Sequence, residues 1–244
     1  MSKIKLNAAS GGSVSLKPPT QTTSSANVEL TLPVNDGDNG QFLQTNGSGA
    51  LSFATPNVGN TGNLLVLEQF YLLADGRSIT TSNGTVTTTN VTAVQDATDA
   101  HATLTGSSIS YQPPTGTTEV IYEFMTAVQE TNSNNRLLST FAVQIDGTTI
   151  EASKDNIFLA SSEYLDHLRV KFPIRIKSTG SDDNESGDRA GWSSAKTISV
   201  IANRYSSSYA MQFHVLRYWG NSGTTGDDLL KKPYVGITAI GTPT

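Results

Sequence analysis

Apolar and polar residues alternate over short stretches along most of the chain, and no segment carries the 3.6-residue recurrence of an amphipathic helix. Val28-Glu29-Leu30-Thr31-Leu32-Pro33 alternates and then stops at a proline, which predicts a strand. Gln41 to Thr45 and Ala50 to Phe53 are two more alternating arms. Between them, Asn46-Gly47-Ser48-Gly49 supplies residues that tolerate positive φ, so the arms predict a β-hairpin. Ile4 and Leu6, interleaved with Lys3 and Lys5, predict an edge strand near the start. Residues 17–27 (KPPTQTTSSAN) read as a polar spacer stiffened by Pro18-Pro19, and residues 56–63 as a linker. The expected organisation is a small module over residues 1–58 and a larger domain over residues 59–244.

In the larger part, Leu64 to Leu73 is apolar at both parities. Its length and the flanking Gly62 and Asp75-Gly76 favour a buried strand over a short helix. Gly84 to Val94 is rich in β-branched residues and predicts a strand, as do Ile109 to Gln112, Glu119 to Val128, Leu138 to Gln144 and Leu168 to Ile176. Asp146-Gly147 predicts a hairpin turn. Lys196 to Tyr205, Ser208 to Trp219 and Tyr234 to Ile240 complete the set, and Asn156 to Leu165 has room for one helical turn. About eight to ten strands at this spacing predict a sandwich or a barrel. A fixed internal period is absent, which disfavours solenoids and propellers.

Composition narrows the function. Only 36% of residues are hydrophobic and 15% charged, with Ser, Thr, Asn and Gly making up the balance, as expected for short strands joined by polar turns. The absence of cysteine excludes disulfides, thiolate metal sites and cysteine nucleophiles. A net charge of −5 argues against a nucleic-acid partner. The start of the chain lacks the apolar run of a signal peptide. The apolar patch Leu64 to Leu67 ends at Glu68, too short for a membrane span, so a soluble protein made in a cytosol is expected.

Gly11 to Leu16, Val28 to Pro33, Gly40-Gln41 and Thr45 to Gly49, taken as an ordered set, resemble the N-terminal module of tail-fibre-like structural proteins of marine and cyanobacterial phages. Ile109 to Pro114, Val120 to Glu123, Val143 to Thr148, Trp219-Gly220 and Pro233 to Gly241 are similar to the C-terminal domains of the same proteins, whose plan resembles the tumour-necrosis-factor-like jelly roll. The resemblance implies an all-β, homotrimeric virion protein: an N-terminal attachment and trimerisation module followed by a jelly-roll-like antiparallel β-sandwich head. It leaves open whether the appendage sits on tail or head. The implied partners are two further copies, other virion proteins, and a host-surface glycan or protein. A trimer is physically reasonable, because a three-strand module buries too little surface alone. The alternative is a monomer in which the module folds back on the sandwich.

Phe42, Leu43, Asn46, Gly47, Gly49, Leu51 and Phe53 are the candidate attachment and trimer residues, and Trp192, Tyr205, Tyr209 and Trp219 the candidate contacts on head loops. These aromatics suit the core or a subunit interface as well as a receptor. The acidic loop from Ser181 to Asp188 matches part of a calcium-loop pattern, but Ser193 stands where the bidentate glutamate belongs, so a solvated loop and no metal is expected. His101, His167 and His214 have no metal-ligand spacing, and no cofactor motif is present. Paired carboxylates for glycan cleavage need two acids about 5–10 Å apart. Asp146, Glu151, Asp155, Glu163 and Asp166 are candidates, with Asp146 better explained as a turn residue. The reading is non-enzymatic, with a cement protein and a glycan-degrading tailspike as alternatives.

Overall fold

The computed structural model describes residues 4–7, 10, 13–16, 22, 27–55, 64–131, 136–159, 165–218 and 227–242. The chain divides into two compact units, Met1–Val58 and Gly59–Thr244. In the first, β1 (Ile4–Asn7) pairs with β2 (Ser13–Leu16), and β3 (Phe42–Thr45) with β4 (Leu51–Ala54), both antiparallel. The β3–β4 loop closes on itself: the Asn46 carboxamide oxygen accepts the N–H groups of Ser48 and Ala50 at 2.8 and 3.2 Å. Gly47 and Gly49 take φ of 81° and 91°, a left-handed backbone that glycine adopts without strain.

The strand expected over Val28 to Pro33 contracts to a single parallel bridge between Thr31 and Ala50. Thr31 N–H donates to Gly49 O and Leu51 N–H to Thr31 O, both at 2.9 Å. Pairing stops there because the loop curls away on one side and Pro33 has no N–H to offer on the other. Gly49 makes the approach possible, since a Cβ there would collide with the Glu29 carbonyl oxygen.

The second unit opens with β5 (Leu65–Leu73), the hairpin of β6 (Ser78–Thr81) and β7 (Gly84–Thr87), and the short β8 (Gln95–Asp96) and β9 (Ala102–Thr103). Next come β10 (Ile109–Tyr111), β11 (Thr117–Glu130), β12 (Leu137–Ile145), β13 (Thr148–Thr149), β14 (Asp155–Leu159), β15 (Leu165–Lys177) and β16 (Arg189–Ala190). The chain continues with β17 (Lys196–Arg204), β18 (Met211–Phe213), β19 (Val215–Tyr218), β20 (Asp227–Leu230) and β21 (Tyr234–Gly241).

A seven-stranded first sheet places β15 along one edge of β11, with β16 beyond it. The other edge of β11 is shared by β21, which leads to β5, and by β18, which leads to β8. A six-stranded second sheet places β9 and β10 on β17, β17 on β12, and β12 on β13 and β14. Among the described residues every ladder is antiparallel except β15–β16. Alternation explains the packing: Val120, Tyr122 and Phe124 of β11 are buried while Ile121, Glu123 and Met125 are half-exposed. Their inward row joins Val143 and Ile145 of β12, Ile198 and Val200 of β17, and Val235 and Ile237 of β21 in one core. The architecture is all-β, and the larger unit is a β-sandwich.

Several expectations are corrected. The β-branched run from Gly84 joins a ladder only as far as Thr87, because Thr88 to Val94 has no partner strand and runs as a connection tied by Thr88 and Val91 backbone bonds. Asn156 begins no helical turn, since Asp155–Leu159 is strand β14, paired with β12. Among the described residues helix is confined to two single 3₁₀ turns, Glu151–Ser153 and Ser207–Tyr209. The strand expected from Ser208 to Trp219 splits at His214, whose φ of 68° breaks the pleat. Its halves pair elsewhere, β18 with β11 and β19 with β20. The spacer at 17–27 and the linker at 56–63 lie almost wholly outside the described residues.

Candidate functional site

In the small unit, Phe42 and Leu43 are 45% and 48% exposed, while Leu51 and Phe53 are half-buried. The Phe53 ring covers Gly37, where a Cβ would lie 2.6 Å away. Val28, Leu30, Leu32 and Val34, at every second position, are all exposed, Val34 completely. An open cavity of about 550 Å³ lies between Leu32, Val34, Asp36, Gln41 and Phe53. Asn46, Gly47 and Gly49 shape the β3–β4 loop through the Asn46 carboxamide bonds and the positive φ of the two glycines. The alternation over Val28 to Pro33 predicts a strand, and the exposure of this apolar row emerges only in the structure.

The first sheet of the large unit turns a second apolar surface outward. Val66, Tyr71 and Leu73 of β5 are 57%, 49% and 37% exposed. Tyr71 lies across Gly236 of β21, where a Cβ would clash with its ring. It packs edge-on against Tyr234 at 6.3 Å, and its hydroxyl donates to Glu123 at 3.2 Å. Leu64 to Leu73, expected to need cover on both sides, is covered on one.

The head-loop aromatics separate. Trp192 is buried and its Nε1–H donates to the Tyr111 carbonyl at 2.9 Å, so it belongs to the core. Tyr205 is 67% exposed and meets Tyr209 edge-on at 5.7 Å. Trp219 lies outside the described residues, as does Glu163.

The acidic loop spends its oxygens on its own chain. Asp183 accepts the Ser186 hydroxyl at 2.8 Å and the Glu185 N–H at 2.9 Å, and these bonds, the hydroxyl first, hold its carboxyl below the usual range. Asp188 pairs with Arg175 and lies 3.9 Å from Lys177, and Asp182 accepts the Ala190 N–H at 2.8 Å. The buried Arg189 donates to the carbonyls of Asp183 and Asp188 at 3.3 and 2.9 Å. Among the described residues no cluster of His, Cys, Asp or Glu could hold a metal. Asp146 is a turn residue, with φ of 51° and its carboxylate accepting the Thr197 N–H at 2.8 Å.

His214 is fully buried. Its Nδ1 lies 2.8 Å from Thr126 Oγ1, and its main-chain N–H donates to Ala127 O at 2.8 Å. Nε2 has no partner, and burial lowers the pKa to about 4. No helix among the described residues is long and apolar enough to cross a membrane.

These features define an all-β protein with a β-sandwich unit and exposed apolar surfaces. No protein family and no curated protein matches the chain. Solved structures with partial likeness include a sugar-binding protein, the EclA C-terminal domain, at a TM-score of 0.29 and 12% identity over 50% of this chain and 74% of that one. Another is the Mud Crab Dicistrovirus structure, at a TM-score of 0.19 and 8% identity over 99% and 91% of the two chains. Likeness at these scores carries no argument about function.

Proposed function

We propose that the protein is a non-enzymatic phage virion protein that forms a homotrimeric fibre or spike-like appendage, used for attachment to the particle and for contact with a host surface. The observation that carries this reading is the row Val28, Leu30, Leu32 and Val34, four apolar side chains exposed beside a two-stranded hairpin. A hairpin of that size is marginal in water, and packing against equivalent rows of two other copies converts the exposed surface into core. The outward Val66, Tyr71 and Leu73 offer the large unit the same solution. Strand order β5-β21-β11-β15 facing β10-β17-β12-β14 supports a tumour-necrosis-factor-like jelly roll for the head. The engagement of Asp146 in its turn and the self-satisfied acidic loop favour binding over glycan cleavage.

Light scattering on the purified protein tests the assembly directly. The expected mass is three times the 25.9 kDa of one chain. A folded single-chain species that persists at high concentration overturns the reading. Labelling the C-terminus on intact particles then distinguishes tail from head.

A further inference from the structure

We infer that the outward face of the second sheet is a groove for a neutral oligosaccharide. The ladders align Asn203, Thr140 and Asn156 in one row across β17, β12 and β14. The next row holds Leu138 and Phe158, and the Tyr205 N–H extends it by donating to Leu138 O at 2.9 Å. Tyr205 and Phe158 are 67% and 60% exposed, so this row bears two large aromatic side chains with little cover. Beside the polar row lies a cavity of about 520 Å³, lined by the apolar Ala142 and Ile201 and by His101, Glu151 and Asp155. A second hollow of about 310 Å³ shares Phe141, Asp155 and Asn156 with it and continues past Phe158 to the sandwich edge, where His167 and Arg169 of β15 line it. Both volumes fall in the range of about 300–1,000 Å³ typical of small-ligand sites.

The chemistry selects the ligand class. A sugar ring presents an apolar C–H face and a rim of hydroxyls. It therefore needs an exposed aromatic beside fixed donors and acceptors, and water kept off an apolar floor. The polar row is pre-set: His101 Nε2 lies 2.9 Å from Thr140 Oγ1, which in turn bonds the Asn203 carboxamide. Charge in the groove is balanced, with Glu151 paired to Lys154 at 2.6 Å and Asp155 sharing the second hollow with Arg169, so nothing recruits a polyanion. The groove lies on the second sheet and ends at β15, across β11 and β21 from the β5 residues Val66, Tyr71 and Leu73, so assembly through that apolar surface leaves it open. This assignment deepens the host-contact part of the proposed function and rests on it.

Saturation-transfer NMR on the full-length protein with mannohexaose, maltohexaose and galactotetraose, and with sialyllactose as the anionic probe, tests the groove. Transfer to a neutral probe is expected, weakened by about tenfold or more in Phe158→Ala and in Asn156→Ala, with unchanged melting temperature and mass. Both side chains are exposed, so the variants keep the fold. No transfer to any neutral probe, or transfer that both variants retain, overturns the assignment. Labelled protein is applied to host cells in parallel. Adhesion that none of the neutral probes competes for overturns the groove and leaves the host-contact reading standing. Transfer to a neutral probe without adhesion supports the groove and overturns that reading.

Discussion

His214 should make this fold acid-sensitive in a defined window. Its ring is fully buried, and burial holds the pKa near 4 against the ordinary 6.5. Above pH 6.5 both folded and unfolded states are neutral at this residue, and it contributes nothing. Between 6.5 and 4 only the unfolded chain takes up the proton, so stability drains as pH falls, and below 4 the loss is complete. At about 1.36 kcal/mol per tenfold change in proton affinity, the full loss is about 3 kcal/mol, of which about 1.4 kcal/mol is already gone at pH 5.5. Urea unfolding at fixed protein concentration between pH 7.5 and 5 measures it, with His214→Asn as the reference. Asparagine cannot titrate, and it tolerates the left-handed backbone that φ of 68° imposes. Subtracting the variant's profile removes His101, His167 and the carboxylates, leaving the His214 contribution alone. Parallel profiles for the two proteins would refute the reasoning.

Replacing Leu30 and Leu32 by Asp should reduce the light-scattering mass from a trimer to a single chain while the sandwich's circular dichroism persists. Gly236→Ala should force Tyr71 off β21 and lower the melting temperature, by an amount that Tyr71→Ala in the same chain partly relieves. Trp192→Phe removes the hydrogen bond to the Tyr111 carbonyl and should cost about 1–3 kcal/mol by chemical denaturation, because a buried acceptor loses its donor. Trp192→Ala should cost about 3–5 kcal/mol through the cavity it leaves.

The long strands could be read from sequence because their burial follows parity. Val120, Tyr122 and Phe124, or Val235 and Ile237, are apolar where the core needs them. Asn46-Gly47 and Asp146-Gly147 announced their turns through residues that accept positive φ. The two-residue strands β8, β9 and β16 had no such mark, since their hydrogen bonds depend on what lies beside them, whereas β13 follows directly from the Asp146-Gly147 turn. The break at His214 was invisible because Gln212-Phe213-His214-Val215 alternates correctly while one left-handed residue turns the chain. Tyr205 and Tyr209 stand out in the sequence as candidate loop contacts. His101, Asn156 and Phe158 do not, because four distant segments meet only through the register of the second sheet. The one local signal was Ile157-Phe158, adjacent apolar residues that cannot both face the core of a strand.

The single bridge between Thr31 and Ala50 bears on how copies of the small unit would come together in the proposed trimer. Among the described residues, the main-chain groups of Val28, Glu29, Leu30 and Leu32 make no bond of their own to another segment. A neighbouring molecule can therefore extend a ladder along this stretch without first dismantling one. In the proposed trimer, assembly at this point would be addition rather than exchange, with Gly49 acting as the pin that holds the open edge in position.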